Sequence, residues 1–298
     1  MTDYVTIHET PGVKLERLIL AFGGWPDAAE GATTAVKFLQ RKLRAKKFAE
    51  LDPEEFYDFT QVRPYSSRTK DGRRRVRWPA NEFYYATPEK GGPDQGMLFF
   101  QGVEPNLRWR TFAKTIADIA EECGVKTVIH VGALLDAVPH TRSVRLTGSS
   151  THTDLQRALD AASIRSSKYQ GPTGISTAVM EACCNRGMSY VSLWGHTSHY
   201  LQAAPNYRVS YTLAQTLSRL LDLNLDLEEL RTAATTFDEE VVKAIAKDDQ
   251  LAAYVRKLEG NYDESVGANE IPDPADVLRE LEQFLKSEQR RGEGGRPP

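Results

Sequence analysis

The stretch Thr127 to Val144, Thr-Val-Ile-His-Val-Gly-Ala-Leu-Leu-Asp-Ala-Val-Pro-His-Thr-Arg-Ser-Val, constrains the fold more than any other. It opens on a short β-branched apolar run, Val128 to Val131. A run of that length and composition fits a strand buried on both faces, as in a parallel sheet. The run then turns polar: Gly132 admits close backbone approach, and Pro139-His140-Thr141-Arg142 places an imidazole, a hydroxyl and a guanidinium within four positions. In open α/β sheets, ligands sit beyond the carboxyl ends of the strands, so this loop is a candidate site. The plain alternative is that Pro139 turns the chain, His140 is an ordinary hydrogen-bonder and Arg142 pairs a carboxylate.

Three further segments repeat the pattern. Leu15 to Phe22 reads as the first buried strand and runs into Gly23-Gly24-Trp25-Pro26-Asp27. Asp27 and Glu30 have the spacing of a capping box for a helix with Ala28, Ala32, Ala35, Val36, Leu39 and Leu43 inward. Met97 to Gly102 reads as a strand entering Val103-Glu104-Pro105-Asn106. Asn106 is the expected cap of a helix striped by Trp109, Phe112, Ala113, Ile116, Ile119, Ala120 and Cys123, closed by Gly124. Ser189 to Trp194 is the last strong strand, followed by a polar Gly195-His196-Thr197-Ser198-His199-Tyr200. Between them, Val144 to Thr147 reads as a short strand and Asp154 to Ala162 as a helix. Gly171-Pro172-Thr173-Gly174 opens another helix, with Thr173 as its cap and Gly187 at its end. Strand, polar loop and helix in series predict an α/β fold.

Elsewhere the signals are weaker. Residues 52–59 read as a turn entering a short strand. Asp71-Gly72 reads as a two-residue hairpin turn within an arginine-rich segment, Arg73 to Arg77, next to Trp78. That hairpin fits a charged edge that resists further pairing, or a site for an anion or a subunit contact. Beyond Leu213 the chain reads as helical, with stripes at Leu213, Leu217, Leu220 and Leu221, at Leu251, Tyr254, Val255 and Leu258, and at Val277 to Leu285. A polar linker is expected over 261–276 and disorder over 289–298. The expected division is an α/β core over 1–222, a helical region over 223–288 and the tail.

A formal net charge of -3 argues against a general nucleic-acid binder and leaves Arg73 to Arg77 a minor reading. Three cysteines without a Cys-x-x-Cys, no signal-peptide pattern and no bilayer-length apolar run predict a cytoplasmic protein without disulfides or membrane. The nucleotide-binding glycine motifs and Gly-x-Ser-x-Gly are absent, so no cofactor is expected. His140, His196 and His199 could approach one another and hold a zinc, but no metal-ligand spacing supports it, and no metal is expected. Asp27, Glu104, Asp136 and His140 are permissive acid–base candidates near strand ends.

Many of these pieces in this order resemble the proteasome assembly chaperone 2 family, in its bacterial and archaeal branch, once labelled ATP-grasp-like. The resemblance rests on Phe22-Gly23-Gly24-Trp25-Pro26-Asp27-Ala28, Tyr57-Asp58-Phe59-Thr60, Arg63-Pro64, Trp78-Pro79 and Gly102-Val103-Glu104-Pro105. It continues through Arg108-Trp109, Gly132-Ala133-Leu134, Val138 to Arg142, Tyr169 to Gly174, Ser192-Leu193-Trp194 and His199-Tyr200, about residues 10 to 265. It implies a three-layer αβα domain with a mixed, phosphorylase/hydrolase-like sheet and a helical C-terminal appendage. It also implies homo-oligomers, with trimers among bacterial relatives, and protein partners that include proteasome components. Archaeal relatives that dock on proteasome rings end in a hydrophobic–Tyr–any tripeptide, whereas this sequence ends Arg296-Pro297-Pro298. No catalytic residues come with the family.

The resulting expectation is a non-enzymatic, self-associating protein-binding factor. Its ligand or interface candidates are Gly24, Trp25, Asp27, Glu104, Arg108, His140, Thr141, Arg142, Gly171, Thr173, Gly174 and His199. The alternative is a small-molecule-binding or hydrolase/phosphorylase-like enzyme, with a strand-end site of Gly24, Trp25, Glu104, His140, Arg142, Thr173 and His199.

Overall fold

The computed structural model describes residues 4–87, 96–167, 169–201 and 203–268. An eight-stranded mixed sheet carries the molecule. In chain order its strands are β1 (Val5–Ile7), β2 (Leu15–Gly23), β3 (Lys46–Leu51), β6 (Glu82–Ala86), β7 (Gly96–Val103), β8 (Thr127–Asp136), β9 (Leu146–Ser150) and β10 (Ser189–Ser198). Two more, β4 (Tyr65–Arg68) and β5 (Arg74–Arg77), form a separate hairpin. The spatial order is β1-β3-β6-β7-β2-β8-β10-β9. β7, β2, β8 and β10 run parallel in the centre, and the flanking pairs are antiparallel.

The central strands are apolar on both faces because helices cover both. Leu18, Leu20 and Phe22 of β2 join a core with α2 (Trp109–Glu122) and α4 (Ile175–Cys184). Ile19 and Ala21, on the opposite face, join a core with α1 (Gly31–Lys42) and α5 (Tyr207–Leu220). Phe22, Phe56, Phe83, Phe100 and Phe112 pack ring on ring at centroid separations of 4.7–6.2 Å, a payload that fixes the first core. α3 (Thr153–Ala161) packs by β9. α6 (Glu228–Ile245) starts beside Arg41 and Lys42 at the far end of α1 and climbs back along α5. There Phe237, Val241 and Ile245 meet Val255 of α7 (Asp249–Ala268), with Tyr200 and Leu201 packed on them.

Several local expectations change. Residues 52–59 are turns rather than a strand; the strand is β3 just before them. The β4–β5 loop has three residues, Lys70 to Gly72, because Thr69 N–H bonds Arg73 O (2.9 Å); Gly72 takes a left-handed φ of 83°. That hairpin is a two-stranded sheet of its own and guards no edge of the main sheet. β9 begins at Leu146 and runs through Gly148. β10 continues through His196 to Ser198, where a loop was expected, because β8 stays paired with it as far as Asp136. α6 is helical on a stripe of Leu230, Ala234, Phe237, Val241 and Ile245 that the sequence reading does not single out, and α7 runs on over 261–268, where a linker was expected. The Val277 to Leu285 stripe and the 289–298 tail lie outside the described residues.

Candidate functional site

The parallel strands deliver their carboxyl ends to one rim of the sheet, and the twelve candidates divide there into separate groups. The first gathers around Glu104. Gly24 leaves β2 with φ 102°, a conformation that suits glycine, and an added Cβ would stand 3.6 Å from that of Glu104. Glu104 N–H bonds Gly23 O at 2.9 Å, and its Oε1 accepts from Ile175 N–H at 2.8 Å. The glycine-rich N-terminus of α4 is thus occupied by a carboxylate of this chain, 71 residues away in sequence. A carboxylate there satisfies an orphan helical donor and the helix dipole. Burial raises the Glu104 pKa, and the Ile175 N–H pulls the other way. Gly174 is the helix N-cap, and Thr173 makes no cap bond but pairs with Thr177. A Cβ on Gly174 would lie 2.9 Å from Glu104 Oε1 and 3.2 Å from the Trp25 ring, so glycine is required for this approach. Gly171 sits under the Tyr169 ring, whose hydroxyl donates to Pro172 O at 2.9 Å. Glu104→Ala is expected to cost about 1 kcal/mol, the usual worth of an N-cap, in urea denaturation.

Asp27 is structural. A 3₁₀ turn (Ala28–Glu30) delays α1, so the carboxylate reaches five and six residues ahead, to Ala32 N–H (2.7 Å), Thr33 N–H and the Thr33 hydroxyl. Glu30 does not reach back as a capping box requires: it holds the N-cap position of α1 with a left-handed φ of 53°. Arg108 is a second left-handed N-cap, φ 53°, at the start of α2. Its guanidinium pairs with Glu55, donates to Tyr4 Oη (2.8 Å) and lies over the Tyr4 ring, so it anchors the chain before β1 and serves no strand-end pocket. Asn106 caps nothing; its side chain accepts from Asp58 N–H.

The second group lies beyond β8 and β10, under α7. His140 Nδ1 is 2.8 Å from Tyr200 Oη, which also accepts from His140 N–H. His199 Nδ1 faces Asp136 O (3.1 Å) and its Nε2 faces Tyr254 Oη of α7 (3.2 Å). Thr141 bonds Glu259, and Arg142 bonds Asp263 through two nitrogens, each at 2.8 Å, and Glu259 at 3.2 Å. Those carboxylates raise the Arg142 pKa, the Asp263 bond most. Arg208 donates to Arg142 O (2.6 Å) and to Asp238 (2.8 Å). Burial first, then the Arg208 charge, lowers the His140 pKa. Thr141 and Arg142 thus fasten α7 to the β8–β9 loop.

Behind them, Asp136 Oδ2 is 2.6 Å from His196 Nδ1, and Thr147 Oγ1 is 3.0 Å from His196 Nε2. Arg145 approaches Asp136 at 3.5 Å. Burial alone would raise the Asp136 pKa, but the His196 bond and the Arg145 charge outweigh it and hold it below the usual value. The spacing is that of a nucleophile–base–acid relay. Yet Thr147 is 2% exposed and His196 7%, so no substrate carbonyl reaches the hydroxyl, and the chain of bonds reads as buried structure. Sequence reasoning missed Arg145 and Thr147 here, because nothing local marks partners 9 and 49 residues away. The three rim histidines are each bonded within the fold, His140 to Tyr200, His196 to Asp136 Oδ2 and Thr147, and His199 to Asp136 O and Tyr254. Among the described residues no cluster of three or more histidine, cysteine or carboxylate side chains is placed to hold a metal. Burial also pushes the thiols of Cys123 and Cys183 up, to about 11 and about 12, as inert core residues.

The strand ends also expose apolar side chains at the rim. Trp25 is 63% exposed, and Leu107, Leu135 and Tyr169 are also exposed. These follow or end β2, β7 and β8, or lead into α4. Among the described residues no helix is long and apolar enough to cross a membrane.

The comparisons agree with this architecture. A PAC2 family protein from Streptomyces avermitilis is 35% identical, with a TM-score of 0.73 over 80% of this chain and 99% of its own. A proteasome-assembly chaperone homologue from Mycobacterium tuberculosis is 32% identical, with a TM-score of 0.72 over 80% and 99%. A Mycobacterium tuberculosis protein of unknown function, 24% identical, shares the fold with a TM-score of 0.79 over 90% and 92%. No curated protein matches. The PAC2 family model matches residues 21–245, and with that span and two relatives above 30% identity, the chain belongs to the PAC2 family.

Proposed function

We propose that this protein is a non-enzymatic, self-associating factor that binds other proteins, with proteasome components as its candidate partners. The observation that carries this reading is the contrast at the rim: Trp25, Leu107, Leu135 and Tyr169 face solvent, while the polar groups suited to chemistry are bonded within the fold. Exposed contiguous apolar surface marks contact sites, and tryptophan is prominent among residues that dominate binding energy. The M. tuberculosis relative's description as a proteasome-assembly chaperone homologue supports the class of partner. Glu104, His140 and His199, the titratable groups of the enzymatic alternative, are each bonded within the fold, and this supports the binding reading over that alternative.

Two measurements test the reading. Sedimentation of the purified chain is expected to show an oligomer, with Trp25→Ala raising its dissociation constant roughly 10- to 30-fold, the scale of a hot-spot truncation, while the melting temperature barely moves. Proteasome α- and β-subunits from the same organism are expected to co-elute with the wild type. A monomer at every concentration that retains none of these subunits would sink the proposal.

A further inference from the structure

The β4–β5 hairpin stands outside the main sheet and is strongly basic. Between Tyr65 and Trp78 lie six basic residues and one acidic one, in a chain of net charge -3. Every residue from Lys70 to Trp78 is exposed, Val76 and Trp78 among them. The two strands pair only with each other, and an isolated two-stranded hairpin is marginal in water. Its base is held by Trp78 on Phe59 (4.8 Å), beside the loop after β7 that Phe56 O accepts from. The hairpin is therefore an arm at the rim, on the β6–β7 flank, extending roughly 20 Å at strand rise.

The opposite flank of the same rim carries the opposite charge. Residues 223–268 hold eleven acidic and five basic side chains. Several of the acids bind Arg41, Arg142 and Arg208 of the same chain. Glu239 and Glu240 do not: both are exposed and have no partner among the described residues, and Val242 beside them is 55% exposed. They sit on the part of α6 that reaches the rim, where Phe237, Val241 and Ile245 pack under Tyr200 and Leu201. Within one copy the arm stays exposed and touches none of this.

We propose that the arm of one copy lies on the outer face of α6 of a second copy, with Arg74 and Val76, which share one face of β5, against Glu239 and Val242, one turn apart on α6, and with Arg75, on the other face, reaching past the strand edge to Glu240. The reading rests on self-association as proposed above and adds to the apolar rim at Trp25 a second, charged pair of surfaces that takes part in it. Two unlike patches on opposite flanks make a head-to-tail contact, which closes into a ring when the rotation permits. The arm's strand order and charge are spent on a neighbour and not on its own sheet.

The test is charge reversal on both sides, read by sedimentation velocity at low salt, with circular dichroism melts confirming the fold. Arg74→Glu with Arg75→Glu is expected to weaken association at least ~30-fold, and Glu239→Arg with Glu240→Arg likewise, on the scale of like-charge juxtaposition. All four changes in one chain are expected to restore it to within about threefold of wild type, since the pairs are re-formed with signs exchanged. Val76→Cys with Val242→Cys is expected to give a covalent dimer with a short bismaleimide that neither single variant nor wild type gives. Reversed pairs that leave an oligomer intact, with no such cross-link, overturn the arm contact while self-association stands. A monomeric wild type overturns both. Recovery of wild-type arm function only as salt-sensitive RNA retention, with the fourfold variant still dissociated, assigns the arm to phosphates and also overturns it.

Discussion

Asp136→Ala is expected to destabilise the fold by about 3–5 kcal/mol, the cost of removing one partner from a buried, hydrogen-bonded charge pair. Asp136 is 5% exposed and His196 7%, and Oδ2 takes both the 2.6 Å bond with Nδ1 and the 3.5 Å approach of Arg145. Its Oδ1 accepts from Ala137 N–H at 2.7 Å. Deletion removes the acceptor of the His196 Nδ1 bond and the carboxylate that Arg145 approaches, at the ends of two central strands. Removing His196 as well is expected to cost less than the sum, because the two changes delete one shared interaction. Urea denaturation at pH 7 of Asp136→Ala, His196→Phe and the double variant gives the cycle. Additive losses, or a loss under 1 kcal/mol for Asp136→Ala, would contradict a coupled buried pair. The sign with pH is set by the lowered carboxyl pKa. Its stabilisation is present above the unfolded value, about 3.9, and is lost as pH falls through the lower folded value.

The parts of the fold that were legible in sequence are those where burial alone decides. Val128 to Val131 reads as a doubly buried strand, and β8 is one, between β2 and β10. The α2 stripe from Phe112 to Ala120 is buried as its spacing predicts, and Gly124 closes it at φ 84°. β3 was missed because Lys46, Lys47 and Glu50 mask it; the charge is answered by Lys47 bonding Glu82 on the neighbouring strand, 2.7 Å away. Asp27 was recognised as a helix-start residue, but the intervening turn moved its partners from the first helical amides to Ala32 and Thr33. The candidate site was less legible, because the partners of its residues are distant in sequence. Glu104 answers Ile175, and Arg142 answers Glu259 and Asp263, more than a hundred residues on. Periodicity and spacing carry no such pairing, so a glycine-rich helix start that looks open to a ligand can be closed by the chain itself.

His130→Phe is expected to raise stability at neutral pH by about 1–3 kcal/mol, the desolvation cost of unpaired buried polar groups, and to flatten the acid limb of the stability curve. His130 is fully buried in β8, between the rings of Trp194 (5.0 Å) and Phe22 (6.3 Å), and neither ring nitrogen has a partner among the described residues. Gly132, two residues on, leaves the Trp194 ring its place: a Cβ there would lie 2.5 Å from it. Burial lowers the His130 pKa to about 3. A histidine whose folded pKa is depressed stays neutral while the unfolded chain takes up its proton from about pH 6.5 downward. Stability therefore falls with pH across the window from about 6.5 to 3, by up to about 1.4 kcal/mol per pH unit and of the order of 4 kcal/mol in total. The Asp136 contribution is lost only below the usual carboxyl value, so the two windows separate. Denaturation of both proteins from pH 7 to 4 reads the difference, in which the remaining histidines cancel. Equal acid slopes, or a His130 ring that titrates near 6.5 in the folded protein by NMR, would show that the imidazole reaches water and that the aromatic enclosure of β8 is not closed.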